Sequence, residues 1–247
     1  MKIQKEQLSW VAVQQALLLR NHTREPAAAL AMLPILATAA FYVLPASYQS
    51  QVFWQFVPQL LGYTCLIFWV GLNTNVIAKL GLQSNKLIPG IRTGLWVGLL
   101  LGGFNTVLIL FAGPALGIEI GFLRETPHAQ IPPVIMVPWF ILAIACGVEL
   151  NFRGFLLGRL TSLLASASPH LEGMPYLTPI LALLISSLVF AFDPFLVSTF
   201  QHLHWIAVWD GLIWGWLWMR TRNLYIPIVA HGMEVTIEYL TIRSVLT

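Results

Sequence analysis

Charged side chains are scarce in this sequence. Of its 247 residues only 9% are Asp, Glu, Lys or Arg, whereas 57% are hydrophobic and ten are tryptophan. One soluble core cannot hide that much apolar surface, so the composition excludes a soluble globular protein and predicts an integral membrane protein. The formal net charge of +3 is small and the basic residues lie beside apolar segments, which argues against a nucleic-acid partner.

Cysteine, sequence repeats and metal-binding motifs are also sparse or missing. Cys65 and Cys146 both fall within apolar segments, where we expect them to pack as small hydrophobic residues without a disulfide. No internal repeat and no separate soluble domain is visible. The absence of His-Glu-x-x-His argues against a standard zinc peptidase. We therefore predict no metal and no dedicated cofactor, although a bound lipid or pigment is compatible with the sequence.

Apolar segments, by contrast, are abundant, and a helix needs about 20 such residues to cross a membrane. The candidate spans are residues 27–47, 52–77, 92–117, 131–149, 177–193, 203–219 and 223–241. They predict an all-α fold, a polytopic transmembrane helical bundle of about seven spans that forms one domain over residues 26–247. Residues 1–25 are predicted to be a cytoplasmic, interfacial amphipathic segment.

The basic residues indicate how the bundle is oriented. They follow alternate spans: Lys79, Lys86 and Arg92 after span two, Arg153 and Arg159 after span four, and Arg220 and Arg222 after span six. Because basic loops stay in the cytoplasm, we predict a cytoplasmic N-terminus and, with an odd number of spans, a C-terminus outside.

The few polar residues within the spans are the first place to look for function, because ionisable groups are costly in a membrane. They are Glu149, Asn151 and Arg153 on span four, Asp193 at the end of span five, His202, His204 and Asp210 on span six, and His231, Glu234 and Glu238 on span seven. Glu149 and Arg153 share a helix face, so a structural salt bridge is the alternative interpretation. Counting helical rise from the basic end of each span, Glu149 and His231 can meet at one level.

These residues resemble a known family, the CAAX protease and bacteriocin-processing (CPBP) family of glutamic intramembrane proteases. Its first motif, Glu-Glu-x-x-x-Arg with Phe-Arg-Gly, is matched by Glu149, Phe152, Arg153 and Gly154. Its last region, a Gly-rich helix followed by Arg-Thr-x-x-Leu and a histidine, is matched by Gly211, Gly215, Arg220, Thr221, Leu224 and His231. The resemblance covers about residues 75–240 and implies a CPBP-protease-like core.

Three catalytic positions of that family carry apolar residues here. In the family the first glutamate and a second-motif histidine are thought to activate water, while a later His and Asn stabilise the oxyanion. The resemblance places Val148 at the first glutamate, Pro194 at the second-motif histidine and Val235 at the asparagine. Glu149, Arg153 and His231 are the residues left to carry any catalysis.

Auxiliary groups are available near the missing positions. His204 follows Phe200 in a local Phe-x-x-x-His, and Asp193 precedes Pro194, where it is either a substitute base or the cap of a helix-starting turn. His231, Glu234 and Glu238 share one face of span seven and could in principle bind a divalent metal, but pairing with Arg153 or exposure to a water-filled cavity is the plainer account.

Two hypotheses follow from these residues. The first is a catalytically silent, non-proteolytic relative that serves as an accessory, assembly or scaffold subunit, with membrane lipids and another integral membrane protein as partners. The second is a divergent, metal-independent glutamic endopeptidase that cleaves peptides as the CAAX proteases do. It would use Glu149 and His231, assisted by His204 or Asp193. The loss of three catalytic positions favours the first.

Overall fold

A computed structural model describes residues 25–167 and 177–246. Within these ranges the chain is built of helices and short turns and contains no strand, which confirms the predicted all-α fold. The predicted amphipathic segment at residues 1–25 lies outside the described residues except for its last position.

Eight helices account for most of the described chain. They are α1 (Ala28–Phe41), α2 (Val52–Leu72), α3 (Leu87–Val107), α4 (Pro133–Ser166), α5 (Leu177–Ala191), α6 (Pro194–Phe200), α7 (Ile206–Thr221) and α8 (Tyr225–Leu246). Each of the seven predicted spans overlaps one of these helices, and α6 is an additional short one. The prediction for span four ended at residue 149, whereas α4 continues to Ser166.

Within the described ranges, length and composition identify three helical stretches able to cross a membrane: Val52–Leu72, Val76–Ala115 and Pro133–Ser166. A fourth crossing results if α5 and the segment Pro194–Leu203, which meet at an angle of 51°, form one broken span. Helix α1 is apolar but shorter. Crossing by α1, α7 and α8 therefore stays a prediction.

Helices α3 and α8 pack closely along a row of glycines on α3. A Cβ atom at Gly94 would lie 2.7 Å from the Ile226 carbonyl oxygen, and one at Gly98 would lie 2.6 Å from that of Ala230. At Gly102 it would lie 3.0 Å from the Glu234 Cα. Small residues at every fourth position let the two backbones approach in this way.

At one end of the bundle, the chain before α3 is bound to the turn between α7 and α8; we call this the basic-end contact. The Leu224 amide donates to the Gly81 carbonyl at 3.0 Å, and the Trp218 indole donates to the Leu80 carbonyl at 3.0 Å. Three more hydrogen bonds join Lys86 to Arg222, Asn223 to Lys86, and Tyr225 to Leu82. Gly81 has φ of 85°, a conformation that favours glycine.

Helix α4 contributes more buried hydrophobic residues than any other described helix but is not regular. It contains two π-helical segments, Met136–Ile141 and Leu150–Leu157. Residues 151–157 are all buried, including Arg153. A π segment rotates the following residues around the helix axis and often marks a functional site. The second π segment directs seven consecutive residues into the protein.

Candidate functional site

Glu149 lies at the centre of a buried charge network that joins α4 to α8. Its Oε1 atom accepts hydrogen bonds from Arg153 Nη1 at 3.1 Å and is 2.9 Å from His231 Nδ1. The two residues that helical rise placed at one level are thus in contact. Glu149 and Arg153 are 0% and 1% exposed, so the carboxylate and the guanidinium compensate each other away from water.

Aromatic rings enclose this network. The Trp214 ring of α7 stacks on His231 with ring centroids 4.6 Å apart, and the Arg153 guanidinium lies 4.2 Å from the centroid of Phe190 on α5. Trp214 is also 5.0 Å from the same guanidinium, so the cation is held between two aromatic faces. Rings on α5 and α7 therefore fix the orientation of both partners of Glu149.

Beside the network is a cavity of about 870 Å³. It lies toward the end of the bundle opposite the basic-end contact, where α4 and α7 begin and α3 and α8 end. His231, Val148 and Val235 line it, whereas Glu149 does not. The two valines thus present methyl groups to the cavity at positions where the resemblance implies a catalytic glutamate and asparagine.

The third replaced position, Pro194, is the first residue of α6. Asp193 is the N-cap of this helix: its Oδ1 accepts hydrogen bonds from the Phe195 and Leu196 amides at 3.1 and 3.2 Å, and from Gln59 Nε2 at 2.9 Å. Asp193 therefore caps α6, which is one of the two roles predicted for it. It also lines the cavity. Its carboxyl group does not hydrogen-bond to Glu149 or His231.

His204 borders the same cavity but is oriented by other groups. Its Nδ1 atom is paired with the Gln201 carbonyl oxygen, and its ring meets the edge of Phe192 at a centroid distance of 5.3 Å. The structure therefore brings Glu149, Arg153 and His231 together and leaves His204 and Asp193 in separate hydrogen-bond arrangements.

A second cluster of polar side chains lies beside the cavity, and its members were not predicted to lie together. Asn105 of α3 donates to Glu234 Oε1 at 2.6 Å and to Asp210 Oδ1 at 3.2 Å, and it accepts from the Trp209 indole at 3.1 Å. Asn105 therefore joins the Asp210 and Glu234 carboxyl groups. Glu234 thus pairs with Asn105 rather than with Arg153.

Asn105 is the functional-site residue that sequence reasoning missed. It is uncharged and stands in an apolar span, so it did not stand out among the ionisable groups. The sequence signal was an amide side chain one turn after the glycine row of α3. Apart from Asn105 itself, Thr106 is the one buried hydrogen-bonding side chain of this helix. Among the described residues, no group of three or more His, Cys, Asp or Glu side chains is arranged to hold a metal ion.

Comparison with known proteins identifies the domain. Residues 130–237 match the family model described as Type II CAAX prenyl endopeptidase Rce1-like. The match runs from the start of α4 to the middle of α8 and includes Glu149, Arg153 and His231. No curated protein and no solved structure matches the chain. Residues 130–237 are therefore an Rce1-like domain of the CPBP family, carried by a helical integral membrane protein.

Proposed function

We propose that this protein is a non-proteolytic member of the CPBP family that acts as an accessory, assembly or scaffold subunit of a membrane protein complex. The observation that carries the proposal is the cavity wall, where Val148 and Val235 stand in place of polar catalytic groups. Valine side chains neither accept a proton from water nor donate a hydrogen bond to an oxyanion.

The remaining charged residues do not replace what the valines lack. Peptide hydrolysis needs a base within hydrogen-bond reach of a water molecule. Glu149 is fully buried, is absent from the cavity wall, and uses Oε1 for both Arg153 and His231. This arrangement supports a bracing role, in which α4 and α8 are held together by a compensated charge network.

The outer surface supports a role in contact with other membrane components. Large apolar side chains stay exposed on successive turns of α3 and at the start of α4, including Trp96, Leu100, Phe104 and Trp139. In a membrane these faces contact lipid or another helical protein. A helical bundle that keeps the charge network between α4 and α8 but does not hydrolyse peptides is suited to such contacts.

The direct test is hydrolysis of a prenylated peptide ending in a CAAX sequence by the purified, lipid-reconstituted protein. We expect no cleavage above a protein-free blank, and the same result for Glu149→Gln and His231→Ala. Cleavage by the wild type that is lost in Glu149→Gln would overturn the non-proteolytic proposal.

The subunit role has a separate test. Native membranes solubilised in mild detergent are resolved by size and mass, and the protein is located with an antibody. We expect a particle that contains a second integral membrane protein in fixed stoichiometry. Recovery as an isolated monomer at every detergent concentration would contradict the subunit role.

One observation favours the second candidate, a divergent glutamic endopeptidase. Glu149 and His231 are within hydrogen-bond distance, and the histidine reaches the cavity wall. In that mechanism the glutamate orients the imidazole, and the imidazole acts on water or on the peptide carbonyl. The same hydrolysis assay decides between the candidates, because only the enzyme predicts activity that depends on both residues.

A further inference from the structure

The end of the bundle that holds the basic-end contact carries more positive than negative charge. Lys79, Lys86, Arg159 and Arg222 meet there. Within the described part of the chain, Glu25 is the one acidic residue that pairs with any of them. Charges removed from water are unfavourable unless opposite charge or hydrogen bonds compensate them. Four cations and one carboxylate leave this surface with an excess of positive charge.

The carboxylate of Glu25 is shared between two of the four cations. Its Oε2 atom accepts from Arg159 Nε at 2.9 Å, and its Oε1 atom is 3.2 Å from Lys79 Nζ. Arg159 is 3% exposed, and its guanidinium lies 4.0 Å from the ring centroid of Trp69. Lys79 stays accessible, with 31% of its side chain exposed, and it also donates to Asn73 Oδ1 at 2.8 Å. An ammonium group has three N–H donors, so Lys79 keeps one for a further acceptor.

Arg222 and Lys86 have no carboxylate partner among the residues that the structure describes. The Arg222 guanidinium lies 4.6 Å from the ring centroid of Trp218, and Lys86 Nζ donates to the Arg222 carbonyl oxygen at 2.7 Å. The carboxylate whose charge acts on Arg222 is that of Glu25, which already has two cationic partners. Two positive charges at this end of the bundle are therefore not balanced.

The four cations form one site rather than separate points on the surface. Arg222 is close enough to Lys86 and to Arg159 for their like charges to act on each other. A Cβ atom at Gly81 would lie 2.6 Å from the Arg222 carbonyl oxygen, which places Arg222 beside the segment that contains Lys79. Lys79, Lys86 and Arg222 are only partly buried. A ligand that approaches from outside the bundle therefore has access to three of the four cations.

Exposed apolar side chains border this site. Leu72 and Ile77 precede Lys79 along the chain and are 60% and 58% exposed, and Ile88 follows Lys86 and is 71% exposed. Basic residues beside a lipid-facing apolar surface are the arrangement that recognises anionic lipid head groups. A soluble anion supplies the negative charge alone, whereas an anionic lipid supplies the charge and the acyl chains in one molecule.

We propose that this surface binds an anionic phospholipid, with its phosphate group between Lys79, Lys86 and Arg222 and its acyl chains over the exposed apolar side chains beside them. Phosphate oxygens accept hydrogen bonds from ammonium and guanidinium groups, and such charge-assisted bonds are stronger than neutral ones. The bound negative charge compensates the cations that have no carboxylate partner. The site does not depend on the proposed function, because lipid binding is measured whether or not the protein cleaves peptides.

The test follows thermal unfolding of the full-length protein in a mild nonionic detergent while phospholipid is added to the micelles. Phosphatidylglycerol is the anionic probe, and phosphatidylcholine with the same acyl chains is the neutral one. We expect a saturable rise in the unfolding temperature, with a half-saturating lipid fraction about tenfold lower for phosphatidylglycerol than for phosphatidylcholine. Added salt should weaken the effect of phosphatidylglycerol, because partly exposed charges are screened. Inorganic phosphate at the same concentration should have no saturable effect.

Arg222→Gln removes a cation without breaking an ion pair of the described residues. The half-saturating fraction of phosphatidylglycerol should rise about tenfold, because a charge-assisted hydrogen bond to phosphate is lost. Lys79→Gln should raise it about fivefold, as expected for one basic residue at a membrane surface. Arg220→Gln is the matched control, since Arg220 is an exposed arginine at the same end of α7, and its value should stay within about twofold of the wild type. Equal losses in Arg220→Gln and Arg222→Gln would show diffuse attraction to a basic surface and overturn the proposal.

Glu25→Gln leaves every basic residue in place and remains informative if Arg222→Gln fails to fold. It removes the internal carboxylate that competes with the lipid, so phosphatidylglycerol should bind about fivefold more tightly, although the protein without anionic lipid unfolds at a lower temperature. A lower unfolding temperature with unchanged or weaker binding of phosphatidylglycerol would overturn the proposal. An equal response to phosphatidylcholine, a saturable effect of inorganic phosphate, or no saturable response to any probe would overturn it as well.

Discussion

Two groups of buried carboxyl side chains meet the same helix, α8, and differ in what balances them. Glu149 is paired with Arg153 and His231 and does not line the cavity. Asp210 and Glu234 are both hydrogen-bonded to Asn105, and they line the cavity. The first group has positive charge within hydrogen-bond distance, and the second does not.

The difference separates a carboxyl group held by charged partners from carboxyl groups held by an uncharged amide. Removing either partner of a buried ion pair leaves an uncompensated charge. Replacing Asp210 or Glu234 by its amide leaves no buried cation without its counter-charge. Three substitutions of buried charged residues test this distinction, and a fourth tests the packing of α3 against α8.

The largest effect is expected for Arg153→Met. It leaves the Glu149 carboxylate buried with only His231 as partner, which should lower the free energy of unfolding by about 3–5 kcal/mol. Thermal unfolding in one detergent measures the change. Arg220→Met is the control, since Arg220 is an exposed arginine on α7. If the two variants unfold at the same temperature, the charge network does not brace the bundle.

A smaller loss is expected when α8 is displaced from α3. The Cβ of Gly98→Ala would meet the Ala230 carbonyl oxygen at 2.6 Å, so the helices must separate and the unfolding free energy should fall by about 1–3 kcal/mol. Gly103→Ala lies on the same helix with nothing within 4 Å and should unfold as the wild type does. Equal unfolding free energies of the two variants would show that the close approach at Gly98 does not contribute to stability.

Asp193 is a third buried carboxyl group, compensated by backbone amides. Asp193→Ala removes the α6 cap and the bond from Gln59, and we expect a loss of about 1 kcal/mol. Asp193→Asn keeps an acceptor oxygen and should recover most of that stability. A stability loss in the Asn variant as large as in the Ala variant would mean that the charge, not the cap, is required.

The smallest effect is expected for Glu234→Gln. Glutamine keeps an acceptor oxygen for Asn105 and nearly the same side-chain shape, so the unfolding free energy should change by about 0.5 kcal/mol or less. Glu149→Gln is the matched comparison, and it should be clearly less stable because the Arg153 guanidinium loses its counter-charge. Similar stabilities of the two glutamine variants would remove the distinction between the groups.

Much of the helical framework could be predicted from the sequence, because apolar runs and glycine spacing are local signals. The end of α4 could not, since Asn151 and Arg153 interrupt the apolar run while the structure buries both. The Arg153 guanidinium is compensated by Glu149, which is itself bound to His231 of α8, and it is enclosed by aromatic rings from α5 and α7. Those partners depend on how the helices are rotated about their axes, which hydropathy does not encode.

The site could be predicted in part for the same reason. Helical rise placed Glu149 and His231 at one level, and charge made them visible. The Asn105 group combines residues from α3, α7 and α8, and its central residue carries no charge. These residues meet because α3 and α8 pack closely. The group could therefore be predicted only by combining the glycine row with the acidic residues of the spans.

The basic-end contact has a consequence for how molecules reach the cavity. Six hydrogen bonds join the chain before α3 to the end of α7 and the α7–α8 turn. The cavity is lined instead by helix ends at the opposite side, among them Ile206 and Leu246. With the helices across a bilayer, we expect a molecule that enters the cavity to come from the leaflet on that side.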